Sequence, residues 1–307
     1  MTNKFIQSLI ENIESFAFHA YWNNFSRKDI DKASNDGSSL MRKLGPISSS
    51  HKTATRNIRL AFPNINRAEE AEILDAMWDN LGRLGGELPH LGNFGYFTDN
   101  SRVKINGLEI LDRYLEAGKG AVFASGHFAN WEIMPAVIVQ RGIDCQVTYR
   151  EMNNAKIDKT IIEARAAYGV KLFAPKGREG GMRLMRILAR GGSIALMNDQ
   201  KYNTGIMAPF FGHECMTNDA AIRLAHRFKV PIQTMTVRRT GGAHFEVDVQ
   251  EPMLLDFEKP LEDIVQTGVN AINQFIENKI REAPEQWFWV HKRWPKQAWI
   301  DAGVMGV

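Results

Sequence analysis

The sequence predicts an α/β fold in which helices flank a mixed central sheet, preceded by a mainly helical N-terminal region. In the first hundred residues, apolar side chains recur at helical spacing. After residue 100, short runs rich in β-branched and aromatic residues alternate with helical stretches. Such alternation is typical of a sheet whose faces are covered by helices.

Residues 1–100 are predicted as the helical region, with helices at 4–22, 51–61 and 67–84. The first of these carries one apolar stripe, formed by Phe5, Ile6, Leu9, Ile10, Ile13, Phe16, Ala17, Ala20 and Tyr21. The stripe either packs on the protein's own core or lies in a membrane interface. Polar residues interrupt the segment, so peripheral binding is favoured over a membrane span.

Residues 101–307 are predicted as the α/β core. Strands are expected at 120–125, 145–149, 193–197, 231–238 and 243–249. Helices are expected at 129–140, 154–168, 180–190, 217–229 and 260–281. The last two strands are close enough in sequence to form a hairpin.

Composition narrows the class of protein. With 44% hydrophobic and 24% charged residues the chain is predicted to fold nearly throughout, and a net charge of +3 is too small to indicate nucleic-acid binding. Residues 1–60 hold nine Lys or Arg against five Asp or Glu, an excess that suits either an anionic membrane surface or an ordinary solvated face. Two cysteines, one in an apolar run, favour a reducing compartment. Neither a secretion signal nor a confident transmembrane helix is predicted.

The segment 124–132 (ASGHFANWE) stands where a predicted strand ends and a helix begins, which is where α/β proteins place their sites. A neutral imidazole at His127 can take a proton from an alcohol that attacks an acyl carbonyl. Glu132 would lie in the first helical turn, where its carboxylate could fix the imidazole tautomer. Amides at the helix start could bind an oxyanion. As a bare pattern this pairing is weak, because a lone His at a strand end is more often structural.

Other chemistries lack their motifs in this sequence. The metalloprotease, paired-cysteine, Walker A, dinucleotide-binding and serine-hydrolase signatures do not occur. We therefore predict no metal and no cofactor. No Ser or Cys is placed convincingly as a nucleophile, which favours direct attack by the acceptor hydroxyl.

The chain resembles the lipid A biosynthesis (lauroyl/myristoyl) late acyltransferases, within the lysophospholipid acyltransferase superfamily, whose signature is His, four residues, then Asp or Glu. The similar blocks run in order through most of the chain: 56–63 (RNIRLAFP), 126–132 (GHFANWE), 149–150 (YR), 198–200 (NDQ) and 209–212 (PFFG). The resemblance implies a glycerol-3-phosphate acyltransferase-like sheet. It also implies transfer from an acyl carrier protein thioester to a lipid A precursor at the cytoplasmic face of the bacterial inner membrane, by an enzyme bound peripherally or through its N-terminus.

The other blocks predict substrate-binding residues. Arg150 follows a strand and would hold acceptor phosphate, or else form a surface ion pair. Asn198, Asp199 and Gln200 end another strand and would shape the same cleft, or else hold a turn. Phe210 and Phe211 would line the acyl path, or else pack as core. The aromatic and basic segment 287–294 would dock at an interface, or else pack inside with a basic rim.

Two alternative functions remain open. The same His127 and Glu132 pair would serve an acyltransferase that uses another phospholipid or glycolipid acceptor. A non-catalytic lipid-binding protein on the same fold is the alternative from a different class.

Overall fold

The computed structural model describes residues 2–149, 151–170, 173–174 and 178–306. The helices in these ranges are α1 (Thr2–Ser26), α2 (Ile30–Leu44), α3 (Ser49–Ala61), α4 (Arg67–Glu87), α5 (Leu108–Ala117), α6 (Ile133–Gln140), α7 (Ala155–Ala167), α8 (Arg178–Ala189), α9 (Ala220–Phe228), α10 (Leu261–Glu282) and α11 (Lys296–Asp301). The strands are β1 (Val103–Asn106), β2 (Val122–Ser125), β3 (Cys145–Thr148), β4 (Phe173–Ala174), β5 (Ser193–Met197), β6 (Ile206–Phe210), β7 (His213–Thr217), β8 (Ile232–Gly241) and β9 (His244–Val249).

Within the described ranges, seven strands form one sheet in the order β1-β9-β8-β2-β5-β3-β4. Neighbours in this sheet run parallel except β8 and β9, which form an antiparallel hairpin. The predicted mixed α/β sheet and its closing hairpin are therefore confirmed. A separate hairpin of β6 and β7 stands beside the sheet.

The centre of the sheet explains where a site can form. All four residues of β2 are buried, as expected for a parallel strand covered on both faces. Its last residue, Ser125, pairs with Met197, the last residue of β5. Because the two strands are parallel neighbours, the segments that follow them emerge side by side at one edge.

Of the N-terminal helices, α4 contacts the sheet through the bond of Glu87 with Arg239 of β8, and α2 packs against α4. Helices α2 and α4 approach so closely that a Cβ on Gly82 would lie 2.2 Å from the Gly37 carbonyl oxygen, which only glycine allows. The start of α4 is fixed by a capping box between Asn66 and Glu69. One hydrophobic core contains side chains from α3, α4 and the sheet. The predicted boundary near residue 100 stays a prediction.

Several elements differ from the sequence prediction. The helix predicted at 129–140 begins only at Ile133, because the backbone of Ala129 has a positive φ of 42° that no helix accommodates. The helix predicted at 217–229 begins at Ala220, since Thr217 ends β7. Helices α2, α5 and α11, strands β1 and β4 and the β6–β7 hairpin were not predicted. The α2 segment is rich in Ser, Asn, Asp and Gly, which have low helix propensity, and β1 and β4 are only four and two residues long.

In the described part of the chain, no helix combines the length and the apolar character that a membrane span needs.

Candidate active site

Residues 126–132, which we call the His127 loop, connect β2 to α6. Gly126 permits the close packing found here, because a Cβ at this position would lie 3.2 Å from Oδ2 of Asp199 and 2.9 Å from the Phe128 ring. The loop is also tied to the C-terminal segment. Phe128 forms a β-bridge with Trp287, and the Phe288 amide donates to the His127 carbonyl at 3.2 Å.

The imidazole of His127 is held by Asp199, the residue that follows β5 by two positions. Nδ1 of His127 lies 2.7 Å from Oδ1 of Asp199, and the His127 backbone amide donates to Oδ2 at 2.7 Å. The Trp287 indole donates to the same Oδ2 at 2.7 Å. Because a carboxylate only accepts, the proton of the neutral imidazole is assigned to Nδ1, which leaves Nε2 as an acceptor.

The Asp199 carboxyl is fully enclosed yet stays ionised. Burial alone would raise its pKa, but the charge of His127, the two hydrogen bonds from that residue and the bond from Trp287 lower the pKa to about 2. Asp199 can therefore stabilise an imidazolium at His127.

The second imidazole nitrogen faces Gln200. The Gln200 side-chain amide lies 3.3 Å from Nε2 of His127 and is assigned as the donor. The next residue is anchored as well, since the Lys201 amide donates to Nε2 of His291 at 2.8 Å. Burial lowers the pKa of His291 to about 4, so its imidazole is neutral and accepts this bond near pH 7.

His127 stands in a cleft of about 170 Å³. The His127 ring lies between two aromatic rings, with centroid distances of 5.0 Å to Trp131 and 5.9 Å to Phe288. The cleft is lined by His127, Trp131, Glu132, Pro135, Val147, Thr148, Tyr149, Met152, Asp158, Ile161, Arg165, Val170 and Met197. Both residues predicted to be catalytic thus face one cleft.

Glu132 makes a different contact from the one predicted. Its carboxylate accepts two hydrogen bonds from Arg165 of α7, at 2.8 and 2.5 Å, and one from the Tyr168 hydroxyl at 3.2 Å. The prediction that Glu132 orients His127 is therefore corrected: the carboxylate that binds Nδ1 of His127 is that of Asp199. The reason is topological: the carboxyl end of β5 lies beside the His127 loop, while the Glu132 side chain faces α7.

The ion pair between Glu132 and Arg165 is largely enclosed. Burial would lower the pKa of Arg165, but the charge and hydrogen bonds of Glu132 outweigh it and hold the pKa above its ordinary value. Burial and the Glu132 charge both raise the pKa of Tyr168. This wall of the cleft therefore presents a fixed guanidinium, and the Glu132 carboxylate that holds it is also bound by the neutral phenol of the buried Tyr168.

The remaining predicted residues fall into three groups. Arg150 lies outside the described residues. Asn198 is buried, and its side-chain amide donates to the Asn218 backbone carbonyl at 3.5 Å, which favours the turn-holding alternative. Phe210 and Phe211 are buried in an aromatic cluster with Trp294, which favours core packing over an acyl path.

The C-terminal aromatic segment is also internal. Trp287, Trp289 and Trp294 are all buried, so core packing rather than interfacial docking describes them. Trp287 has a second role, because its indole contacts Asp199.

A second, apolar cavity of about 30 Å³ lies beneath the cleft, between the sheet and α6. Pro135, Val147, Thr148 and Met197 line both spaces, so the two are adjacent. The inner end is lined by Phe123, Ala124, Ser125, Met134, Ile138, Ala195, Leu196 and Met235.

Sequence reasoning missed Arg165, Tyr168, Trp287 and His291 as site residues. Arg165 and Tyr168 lie in and just after a helix whose pattern shows no distinguishing feature. Asp199 was predicted to bind substrate rather than to hold His127. The role of Asp199 would have been evident from the pairing of β2 with β5, because this pairing places Asp199 beside the His127 loop.

Comparison with known proteins decides the family. The model of the bacterial lipid A biosynthesis acyltransferases matches residues 15–296. The chain belongs to this family. Members are acyltransferases, and the enzyme class expected from the sequence is confirmed.

Individual relatives support the assignment. The lipid A biosynthesis palmitoleoyltransferase of Escherichia coli (strain K12) is 28% identical over 251 residues, which cover 78% of this chain and 77% of the relative. The lipid A biosynthesis myristoyltransferase of the same organism is 23% identical, over 80% and 75% of the two chains. A lipid A biosynthesis acyltransferase of Haemophilus influenzae is 21% identical, over 77% and 73%.

Over the described part of the chain, no group of three or more His, Cys, Asp or Glu side chains is placed to hold a metal ion.

Proposed function

We propose that the protein transfers a fatty acyl chain from an acyl carrier protein thioester to a hydroxyl of a lipid A precursor, with His127 as the general base. The observation that carries the proposal is the geometry of His127. Its Nδ1 is fixed on the buried carboxylate of Asp199, which leaves Nε2 as the acceptor atom of an imidazole that lines the cleft. The donor and the acceptor are those implied by the family.

The reaction follows from this geometry. The acceptor hydroxyl replaces the Gln200 amide at Nε2 and gives its proton to His127 as its oxygen attacks the thioester carbonyl. The tetrahedral intermediate then collapses and the carbon–sulfur bond breaks. The imidazolium returns the proton to the leaving thiolate, so an ester and a free carrier thiol are formed. Asp199 stabilises the imidazolium between these steps.

Glu132 has a different role in this proposal. It holds the Arg165 guanidinium at the cleft wall through two hydrogen bonds. A fixed guanidinium there suits the anionic parts of the substrates. The predicted phosphate contact of Arg150 stays a prediction.

The apolar cavity is proposed to receive the acyl chain. At about 30 Å³ it is too small for a fatty chain without rearrangement. Met134, Met197 and Met235 line it, and methionine side chains adapt to irregular apolar shapes. We expect these side chains to move when the chain enters.

Membrane association is proposed to involve α1. Ile10, Ile13 and Phe16 are 50%, 61% and 78% exposed, which is unusual for apolar side chains on one helix. Helix α1 contacts α7, where Nε2 of His19 lies 3.0 Å from Oγ1 of Thr160. Since α7 also supplies Arg165 to the cleft, a surface-bound α1 would bring the cleft close to a lipid acceptor. We propose that this occurs at the cytoplasmic face of the inner membrane.

The test is product formation by the purified protein. Acyl carrier protein thioesters of several chain lengths are offered with lipid A precursors, and products are identified by mass spectrometry. The proposal predicts a product in which the precursor has gained one acyl chain, and this product should not form with the His127→Ala variant. Acylation of only a phospholipid or glycolipid would identify the alternative acceptor. Lipid binding without turnover by the wild type would overturn the enzymatic proposal.

A further inference from the structure

A buried ion pair is linked to the His127 loop, and neither of its two residues lines the cleft. The Glu87 carboxylate at the end of α4 accepts two hydrogen bonds from the Arg239 guanidinium of β8. Glu87 is fully buried and Arg239 is only 9% exposed. Removing two charges from water is costly, so a pair with this burial is weak evidence for stability alone.

The pair reaches the His127 loop through Asn130. The Asn130 side-chain amide donates to Oε2 of Glu87 at 2.8 Å, and Asn130 is itself completely buried. Asn130 follows His127 by three positions, so this bond attaches one end of the loop to the ion pair.

A second connection runs from Arg239 to Ala129. Nε of Arg239 donates to the Asn80 side chain at 3.0 Å, and Asn80 donates to the Ala129 carbonyl at 3.5 Å. The backbone amide and carbonyl of Arg239 both bind the Gln286 side chain, at 2.7 and 3.1 Å. The backbone carbonyl of Gln286 in turn accepts a hydrogen bond from the backbone amide of Ala129 at 2.7 Å.

Ala129 needs such support. Its φ of 42° lies in the left-handed region that non-glycine residues seldom adopt. Conformations of this kind persist where their surroundings over-determine them. Both backbone polar groups of Ala129 are held by residues that also bind Arg239.

We infer that Glu87 and Arg239 are positioning residues, which hold the 127–130 backbone so that His127 meets both Asp199 and the acceptor. The catalytic part of this inference rests on the proposed function. Glu87 acts through Asn130 and Arg239 acts through Asn80 and Gln286. Neither is a residue that lines the cleft.

Two alanine substitutions separate positioning from simple stabilisation. Asn130 and Ser34 both donate to the Glu87 carboxylate at 2.8 Å, and both are completely buried. Only Asn130 belongs to the His127 loop, since Ser34 lies on α2. Asn130→Ala and Ser34→Ala therefore each remove one buried bond to the same carboxylate.

Acyl transfer is the first readout. Asn130→Ala is expected to lower kcat about 10- to 100-fold, with the KM for the thioester nearly unchanged, because the base is misplaced rather than the donor site. Ser34→Ala is expected to keep kcat within about twofold. Equal kcat losses in the two variants, or a loss carried by KM, would overturn the inference.

The second readout does not depend on turnover. Nitrogen NMR of ¹⁵N-histidine-labelled protein reports the tautomer and environment of each imidazole, and His127→Asn identifies the His127 signal among the eight histidines. Asn130→Ala and Glu87→Gln should shift or broaden that signal, while Ser34→Ala should leave it in place. An unchanged His127 signal in the first two variants overturns the inference even if the wild type proves to have no transferase activity. A displaced signal together with an inactive wild type would leave the positioning intact and remove the proposed function.

Discussion

Nδ1 of His127 lies 2.7 Å from Oδ1 of Asp199, although 72 positions separate the two residues in the chain. The contact exists because β2 and β5 are parallel neighbours whose ends coincide at Ser125 and Met197. The carboxylate that orients the His127 imidazole is therefore that of Asp199, while the Glu132 carboxylate binds Arg165.

Glu132 is expected to matter for stability as well as for activity. Glu132→Ala removes the carboxylate that accepts two hydrogen bonds from the enclosed Arg165 guanidinium, which should lower the free energy of unfolding by about 3–5 kcal/mol. Denaturant unfolding measures the change. Replacing both residues, with Glu132→Ala and Arg165→Leu, should recover part of it.

A matched control is the exposed pair of Arg42 and Asp75. Asp75→Ala should lower the free energy of unfolding far less than Glu132→Ala does, because solvent screens this exposed interaction. Similar decreases in the free energy of unfolding for Glu132→Ala and Asp75→Ala would show that the ion pair of Glu132 and Arg165 does not stabilise the cleft more than an exposed pair would.

His291 is expected to make stability depend on pH. Its folded pKa of about 4 lies below the ordinary value of about 6.5. Between these values the unfolded chain binds a proton that the folded protein excludes, so the free energy of unfolding falls as the pH drops through this window. His291→Gln can retain an acceptor for the Lys201 amide but does not titrate. The variant should lose less stability than the wild type between pH 7 and pH 5, measured by denaturant unfolding at each pH. Parallel curves would contradict the buried, neutral imidazole.

The sequence predicted the sheet better than the site. Buried β-rich runs such as residues 193–197 were assigned correctly because their apolar pattern is local. The His–Asp contact depends on strand order, which no local pattern specifies. The five-residue spacing of His127 and Glu132 favoured a direct contact, but the positive φ of Ala129 delays the helix and the Glu132 side chain faces α7.

The exposed apolar residues of α1 are expected to bind membranes. Replacing Ile10, Ile13 and Phe16 with Ser removes side chains that would each contribute about 1.5–3 kcal/mol on full burial. Binding to anionic liposomes should fall more than about tenfold in a flotation assay. Melting temperature and transfer to a detergent-dispersed acceptor should change little.

The exposed residues Ile47 and Leu254 provide the control. Their replacement with Ser removes comparable apolar surface from other parts of the protein and should leave liposome binding unchanged. Equal losses in both variants would indicate a general effect of surface hydrophobicity. Phe5 and Leu9, which belong to the predicted stripe, have side chains outside the described residues.

The inner cavity is expected to select acyl length. Ala195→Leu adds bulk to its wall and should lower kcat/KM for the longest accepted thioester by about 10-fold or more, while the shorter thioesters are less affected. Competition between two thioesters in one reaction, followed by mass spectrometry, gives the ratio directly. A uniform loss for all lengths would contradict acyl binding in this cavity.

Asp199, as the residue that fixes the tautomer of His127, is central to the proposed mechanism. The decisive measurement is kcat of Asp199→Asn, determined with the thioester and acceptor that the wild type uses best. The substitution preserves shape but lets the amide stabilise the wrong tautomer, so kcat should fall about 10⁴-fold while the fold remains intact by circular dichroism. Combining it with His127→Ala should add little further loss, because the two residues act as one unit. A kcat of Asp199→Asn within about tenfold of the wild type, or losses that add fully in the double variant, would contradict the account.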